Sequence, residues 1–211
     1  MSERVLAVLA SGQGTNFEAL AQAERRGTWG GRIAVLVSDR QDSPALDRAR
    51  RLGIEALALD PGRARARVEN EAVWIEALRS RGVEVVVLAG FMRLLGEAFL
   101  AAFPERILNI HPSLLPAFPG LDAIRRALEH GVRWTGCTVH LVNEGTDSGP
   151  ILAQAAVSVL DDDTLATLTA RVHEAEHRLY PETVSRFLTQ PFRLEGRRVC
   201  WLERGAVKGV R

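Results

Sequence analysis

The sequence predicts an α/β domain with a mainly parallel sheet and helices on both faces. Continuous apolar runs of strand length recur in the first half, as expected of strands buried on both sides. Helical patterns separate these runs, which gives the order βαβαβ. With 211 residues, 46% of them hydrophobic, the chain can bury one core. We therefore expect a single domain over 1–211.

The first half supplies the alternating elements. The apolar runs predict strands over 5–10, 32–38, 54–59 and 83–90, and the last is the most apolar and should be central. Helices are predicted after the glycine-rich loop at 11–16, from Pro44 to about Leu52, and across the segment after the Asp60-Pro61-Gly62 turn as far as Arg81. Loop 91–95 should follow the central strand.

The second half begins with a short buried strand at 107–110, followed by a proline-containing loop at 113–120. A helix capped near Asp122, strands at 136–142 and 151–159, and a long helix after the Asp161 to Thr164 cap are expected next. Proline has no N–H, so Pro181 should end that helix. The segments 192–194 and 199–202 flank Glu195-Gly196 and predict a C-terminal hairpin.

Composition favours a small-molecule partner. The net charge is +1, without a basic stripe for nucleic acid, and the single lysine, Lys208, leaves no P-loop or Schiff-base lysine in the domain. Cys137 and Cys200 are not a C-x-x-C pair, which indicates a reducing compartment. There is no apolar run long enough for a signal peptide or a membrane span, so we expect a cytoplasmic protein with no membrane contact.

The loop Ser11-Gly12-Gln13-Gly14-Thr15-Asn16 lies between a predicted strand and a predicted helix. Glycines allow close approach of the backbone to an anion, and the positive end of the helix dipole stabilises it. The loop is neither G-x-G-x-x-G nor a Walker loop. It therefore predicts a phosphate site, with an ordinary tight turn as the alternative.

Asn109 and His111 lie two residues apart at the end of a predicted strand, so their side chains share one face. Open α/β sheets bind ligands at the carboxyl ends of their strands. If Asp147 folds back onto His111, its carboxylate would favour the protonated imidazole, and a donor amide beside this cation suits acyl transfer without a protein nucleophile. The alternative is that Asn109 and Asp147 are turn residues and His111 is a core histidine.

A competing motif is H-E-x-x-H, formed by His173, Glu174 and His177 on the long predicted helix, with Glu195 as a conceivable third ligand. This pattern is typical of zinc hydrolases. Pro181 follows shortly after it and Glu195 sits in a predicted hairpin turn, so we expect no metal.

Four stretches together resemble the phosphoribosylglycinamide formyltransferases, which are folate-dependent, over nearly the whole chain. Three of them are the loop after the first strand, the central strand with its loop, and the segment around Asn109 and His111. The fourth begins at Asp147. Their sequences are Leu9-Ala-Ser-Gly-Gln-Gly-Thr-Asn16, Val85-Val-Val-Leu-Ala-Gly-Phe-Met-Arg93, Leu108-Asn-Ile-His-Pro-Ser-Leu-Leu-Pro116 and Asp147-Ser-Gly-Pro150. In place of the family's usual Gly-Gly after the aspartate, this chain has Ser148-Gly149.

The resemblance implies a Rossmann-like formyltransferase fold, with a phosphate-binding half at 1–105 and a catalytic, folate-binding half at 106–211. It implies 10-formyltetrahydrofolate as co-substrate, no metal, and a monomer or homodimer. The implied catalytic residues are Asn109, His111 and Asp147. The implied contacts to glycinamide ribonucleotide are Gly14, Thr15, Asn16 and Glu176. The implied folate contacts are Arg67, Met92, Arg93, Leu94, Leu95, Asn109, Asn143, Glu144, Gly145 and Thr146, with Arg63 or Arg65 as alternatives to Arg67.

The implied reaction is formyl transfer to the amine of N1-(5-phospho-D-ribosyl)glycinamide in purine synthesis. Asn109 and His111 would stabilise the oxyanion, and Asp147 would be charge partner and proton relay. Two other readings stay open. A formyltetrahydrofolate deformylase would consume the donor without the ribonucleotide, and a zinc hydrolase would use His173, Glu174 and His177.

Overall fold

Nine strands form one continuous sheet in the computed structural model, which describes residues 3–27, 29–64 and 66–203. The strands are β1 (Arg4–Leu9), β2 (Gly31–Ser38), β3 (Glu55–Ala58), β4 (Val85–Leu88), β5 (Ile107–His111), β6 (Trp134–Leu141), β7 (Ile151–Ser158), β8 (Phe192–Glu195) and β9 (Arg198–Trp201). All the predicted strands are present, with ends shifted by three residues or fewer.

The sheet has the order β3-β2-β1-β4-β5-β6-β7-β9-β8. Strands β1 to β5 pair in parallel, whereas β6 is antiparallel to both β5 and β7, and β8 and β9 form the antiparallel C-terminal hairpin. The predicted class, an α/β fold with a mainly parallel sheet and a terminal hairpin, is confirmed. The division at residue 105 stays a prediction.

Helices cover both faces of this sheet. They are α1 (Thr15–Arg25), α2 (Pro44–Arg51), α3 (Glu71–Arg79), α4 (Glu97–Ala102), α5 (Ala123–Glu129) and α6 (Leu165–Thr189). Alternate residues of β1 point to opposite faces, so Leu6 and Val8 join the cluster with residues of α1, α2 and α6, while Ala7 and Leu9 join the cluster with α3 and α4. Burial on both faces explains why the strands read as continuous apolar runs.

The prediction that Pro181 ends the long helix is wrong. Helix α6 continues to Thr189, with Pro181 buried inside it. Its apolar stripe extends through Val172, Tyr180, Val184 and Leu188 and packs against the core on both sides of the proline. An internal proline costs about 3 kcal/mol, and burial of this stripe offsets that cost.

Two further differences concern the segments beside β4. The helix expected across 63–81 begins only at Glu71, because the residues before it bond to the loop after β4: Val68 N–H donates to the Leu94 carbonyl at 3.1 Å and Leu94 N–H to the Ala66 carbonyl at 2.8 Å. The short helix α4 was not predicted. It buries Phe99 against the core.

Within the described residues, no helix is both long and apolar enough to cross a membrane.

Candidate active site

Asn109 and His111 lie at the carboxyl end of β5, as the sequence predicts. Ile110 between them faces the core, so the two polar side chains share the other face. His111 is 5% exposed. The end of β5 therefore presents an amide and a largely buried imidazole to one crevice.

Asp147 folds back onto this pair from the loop between β6 and β7. Its Oδ2 lies 3.2 Å from His111 Nδ1, and its Oδ1 lies 3.4 Å from Asn109 Nδ2. Asp147 has a φ of 48°, an uncommon conformation for a residue with a side chain, and the Gly120 N–H holds its Oδ2 at 2.7 Å. The predicted meeting of Asp147 with Asn109 and His111 is confirmed, while their catalytic roles stay predictions.

Both ring nitrogens of His111 face acceptor oxygens. Nδ1 faces the Asp147 carboxylate, and Nε2 lies 2.8 Å from the Phe118 carbonyl oxygen. A neutral imidazole carries one N–H, so it could satisfy only one of these contacts. An imidazolium has two N–H groups and would donate to both oxygens.

The Asp147 carboxylate is ionised in this setting. Burial acts to raise its pKa, but the contact with His140, the hydrogen bond from the Gly120 amide and the charges of His111 and His140 outweigh burial. The net effect lowers the pKa of Asp147 below its usual value. An ionised carboxylate therefore lies 3.2 Å from His111 Nδ1.

His140, which the sequence indicated only as a strand residue, also belongs to the site. Strand β6 runs antiparallel to β5 with His140 opposite Asn109, and His140 Nε2 lies 3.2 Å from Asn109 Nδ2 and 3.6 Å from Asp147 Oδ1. Its Nδ1 donates to the Leu141 carbonyl at 2.9 Å. The position of His140 follows from the register of β5 and β6, which no local pattern reveals.

The glycine-rich loop has the form expected of a phosphate site. Gly14 precedes α1 with a φ of 74°, and a Cβ there would lie 2.7 Å from the Cβ of Ala45. Within the described part of the chain, no side chain caps the N-terminus of α1. The first amides of α1 are therefore available to an anion, with the positive end of the helix dipole behind them.

Asn16 joins this loop to α6. Its Nδ2 donates to Glu176 Oε2 at 2.9 Å, and its Oδ1 is buried without a hydrogen-bond partner among the described residues. Buried acceptors are seldom left unpaired in a folded protein. The free oxygen can accept a hydrogen bond from a donor such as a hydroxyl group.

The H-E-x-x-H segment has a different geometry from the one a zinc site needs. His173 Nδ1 bonds to Glu176 rather than facing an open site, and Glu174 pairs with Arg178 at the surface. Glu195, the conceivable third ligand, lies at the end of β8 in the hairpin. The described residues hold no group of three or more acidic, histidine or cysteine side chains suited to a metal.

The predicted folate contacts lie along one edge of the crevice. Arg67 is exposed and its backbone pairs with Leu94, beside Met92, which is 61% exposed. Leu95 is buried. Of the two alternatives to Arg67, Arg63 is exposed and its amide bonds Glu69, while Arg65 lies outside the described residues.

The Arg93 guanidinium bonds to two neighbouring segments of the protein. Its Nε donates to Asp39 Oδ2 at 2.6 Å, and its NH1 donates to the Ala64 carbonyl. The two side chains are 17% and 4% exposed, so the pair is largely buried. The guanidinium therefore ties the loop after β4 to the end of β2.

Asn143, Glu144, Gly145 and Thr146 are exposed in the loop that carries Asp147. Asn143 Oδ1 accepts from the Gly145 amide and from the Ser148 hydroxyl, which stiffens the loop. A cavity of about 280 Å³ lies between this loop and α4, lined by Leu100, Phe103, Val142, Asn143 and Glu144. A second cavity of about 570 Å³ reaches Asp147 beside the C-terminal hairpin.

The fold and this crevice define the class of protein. A family model described as Formyl transferase matches residues 4–184 and includes every residue of the site. The chain is thus a formyl transferase domain.

Similar proteins with named functions narrow this class to one family. The chain is 43% identical over 182 residues to the phosphoribosylglycinamide formyltransferase of Bacillus subtilis (strain 168), covering 86% of this chain and 93% of the relative. It is 39% identical over 199 residues to the human trifunctional purine biosynthetic protein adenosine-3, covering 94% of this chain and 20% of that protein. The crystal structure of glycinamide ribonucleotide transformylase 1 from Symbiobacterium toebii superposes with a TM-score of 0.91 at 51% identity, covering 95% of each chain. The chain belongs to the phosphoribosylglycinamide formyltransferase family of enzymes.

Proposed function

We propose that the protein transfers the formyl group of 10-formyltetrahydrofolate to the amine of N1-(5-phospho-D-ribosyl)glycinamide. The observation that carries this proposal is the cluster at the end of β5, where the Asp147 carboxylate contacts both His111 Nδ1 and Asn109 Nδ2. The cluster offers a cation and an amide donor beside one crevice. These are the groups that stabilise an oxyanion during acyl transfer.

The reaction needs no nucleophile from the protein. The substrate amine attacks the formyl carbon and forms a C–N bond, and the carbonyl oxygen becomes an oxyanion stabilised by Asn109 and protonated His111. Collapse of this intermediate breaks the bond to N10 of the folate. One proton leaves the new amide nitrogen and one reaches N10, with Asp147 as the relay. The products are the formylated glycinamide and tetrahydrofolate.

The hydrogen bond from His111 Nε2 to the Phe118 carbonyl limits how the ring can act. The charge of the imidazolium acts on a nearby oxyanion without any movement. A direct hydrogen bond to the oxyanion requires the loop that carries Phe118 to release Nε2. Phe118 itself has a φ of 51°, an uncommon backbone conformation for a residue with a side chain.

The ribonucleotide and the folate bind at the two ends of the crevice. The phosphate binds the free amides of α1 beyond Gly14, including those of Thr15 and Asn16. Glu176 and the unpaired Asn16 Oδ1 accept hydrogen bonds from the ribose hydroxyls. The folate lies along Arg67, Met92, Leu94 and Leu95 toward the loop of 143–146, with Arg93 contributing through its backbone.

The test of this function is the consumption of 10-formyltetrahydrofolate, followed spectroscopically with and without glycinamide ribonucleotide. We expect consumption only when the ribonucleotide is present, with one formylated product for each tetrahydrofolate released. Equal consumption in its absence would identify a deformylase and reject the proposal.

A further inference from the structure

One turn of α6 places two histidines and a glutamate beside the phosphate loop. His173 and Glu176 are three residues apart and so lie on one face of the helix. Glu176 Oε2 lies 2.8 Å from His173 Nδ1 and 2.9 Å from Asn16 Nδ2. One carboxylate oxygen therefore links His173 directly to the first turn of α1.

The negative charge of the Glu176 carboxylate opposes the binding of a phosphate group at this site. Its side chain is 3% exposed, and it contacts the helix turn that we assign to a phosphate group. A negative charge beside this turn repels a phosphate dianion, and burial weakens the screening by solvent. A nearby cation that offsets the charge of Glu176 would therefore favour phosphate binding.

His173 is placed to be that cation. The hydrogen bond to Glu176 is the largest influence on its pKa, and together with the charge of Glu176 it raises the pKa above the usual value despite the opposing effect of burial. The side chain is 46% exposed, so solvent reaches the ring and the proton can exchange. His173 and Glu176 then form a pair with no net charge.

The other titratable groups around His173 do not replace it. Burial lowers the pKa of His177, whose ring stacks on His173, and its Nε2 has no partner in the described part of the chain. On α1, Glu18 pairs with Arg48 of α2. On β6, burial raises the pKa of Cys137 to about 12, so this thiol is neutral.

We propose that His173 is a positioning residue of the ribonucleotide site, whose protonated ring neutralises Glu176 and holds its carboxylate against Asn16 so that the substrate phosphate binds α1 without repulsion. This inference rests on the proposed function and adds a pH-dependent control of substrate affinity to it.

The charge of the His173–Glu176 pair determines how the KM for the ribonucleotide changes with pH. Below the raised pKa of His173 the pair is neutral. As the pH rises through that pKa the ring loses its proton and the pair acquires a charge of −1. The KM for the ribonucleotide should then rise by about tenfold, the loss expected for one charge-assisted contact, while kcat changes little.

The experiment compares the KM for glycinamide ribonucleotide from pH 6 to pH 9 in the wild type, His173→Gln and His173→Lys. His173→Gln keeps a hydrogen-bond donor without a charge, so its KM should be high at every pH, about tenfold above that of the wild type at low pH. His173→Lys carries a permanent charge and should keep a low KM at high pH. Dividing each KM by the wild-type value at the same pH cancels the titration of the substrate phosphate itself.

The matched control is Arg178→Gln, which removes one exposed positive charge from the same helix outside the site. Its KM profile should follow that of the wild type. The inference is overturned if His173→Gln has the wild-type KM and pH profile, or if Arg178→Gln shifts KM as much as His173→Gln does.

A second readout separates this inference from the proposed function. NMR titration of the His173 ring with and without inorganic phosphate needs no turnover, and we expect phosphate to move the titration midpoint to higher pH. A wild-type enzyme that binds phosphate with this shift but transfers no formyl group would reject the proposed function alone. An unchanged midpoint with bound phosphate would reject the role of His173 alone.

Discussion

At the scale of single residues, two oxygen atoms from separate loops face the ring nitrogens of His111. The Asp147 carboxylate lies 3.2 Å from Nδ1 and the Phe118 carbonyl oxygen lies 2.8 Å from Nε2. Asp147 also contacts Asn109 and His140, so one carboxylate orients three side chains. We therefore assign the preorganisation of the site mainly to Asp147.

The first prediction concerns His140, which supports Asn109 and Asp147 without facing the substrate in our account. Replacement by alanine removes the ring that contacts the Asn109 amide and the Asp147 carboxylate, and lets both side chains drift. We expect His140→Ala to lower kcat by up to about 100-fold, the cost of a small misplacement of reacting groups, with a smaller change in KM.

His140→Gln is the control, since its amide oxygen can accept from Asn109. It should recover part of the lost kcat. Steady-state kinetics on folded protein check both variants, and a His140→Ala enzyme as fast as the wild type would remove His140 from the site.

At the scale of elements, close contacts hold the loop before α1 against α2 and the long helix α6 against the sheet. The second prediction concerns Gly14, which has both a positive φ and no room for a Cβ beside Ala45. Gly14→Ala should destabilise the fold by more than the 1–2 kcal/mol or so that a left-handed alanine costs, and it should raise the KM for the ribonucleotide.

Gly53→Ala is the matched control, because Gly53 has a φ of 68° and open space where its Cβ would lie. Gly53→Ala should lower the free energy of unfolding only by the cost of placing an alanine in the left-handed conformation. Chemical denaturation gives the two free energies of unfolding, and equal losses with an unchanged KM would contradict the close approach of Gly14 to α2.

The third prediction concerns Tyr180, a fully buried residue of α6. Its hydroxyl lies 2.8 Å from the Leu88 carbonyl oxygen at the end of β4 and 3.2 Å from the Leu108 carbonyl oxygen within β5. Tyr180→Phe keeps the ring, so it leaves the apolar packing intact and removes only the donor. We expect a loss of about 1–3 kcal/mol in the free energy of unfolding.

Thermal unfolding should show this loss as a lower Tm, by about 2–4 °C for each kcal/mol in a chain of this length. A Tm equal to that of the wild type would mean that the hydroxyl does not hold α6 against β4 and β5.

At the scale of the whole molecule, local patterns predicted most of the sheet and missed what tertiary packing decides. The parallel strands appear in the sequence because burial on both faces leaves only apolar residues in runs such as Val85–Leu88. The reach of α6 past Pro181 was missed, since the proline rule is local and the packing that overrides it is not. Helix α4 has six residues, too few for a clear period.

Local patterns likewise predicted some residues of the candidate site and missed those that depend on tertiary packing. Asn109 and His111 were predictable because two residues on one strand share a face, and the loop at Gly14 because its composition is unusual for a helix start. The contact with Asp147 depends on a reversal of the chain that no local pattern encodes. His140 was missed because it depends on β6 pairing antiparallel to β5, with His140 opposite Asn109. The charge pairing of His173 with Glu176 depends on the packing of α6 on α1.

The central claim is that His111 and Asp147 act as one unit in formyl transfer. The most direct test is a double-mutant cycle on the rate of formyl transfer, with His111→Ala, Asp147→Asn and both changes together. Residues that act as a unit give strongly non-additive losses. We predict that each single variant loses most of the activity and that the double variant is no slower than His111→Ala. A double variant whose loss equals the product of the two single losses would show that the residues act independently and would contradict the account.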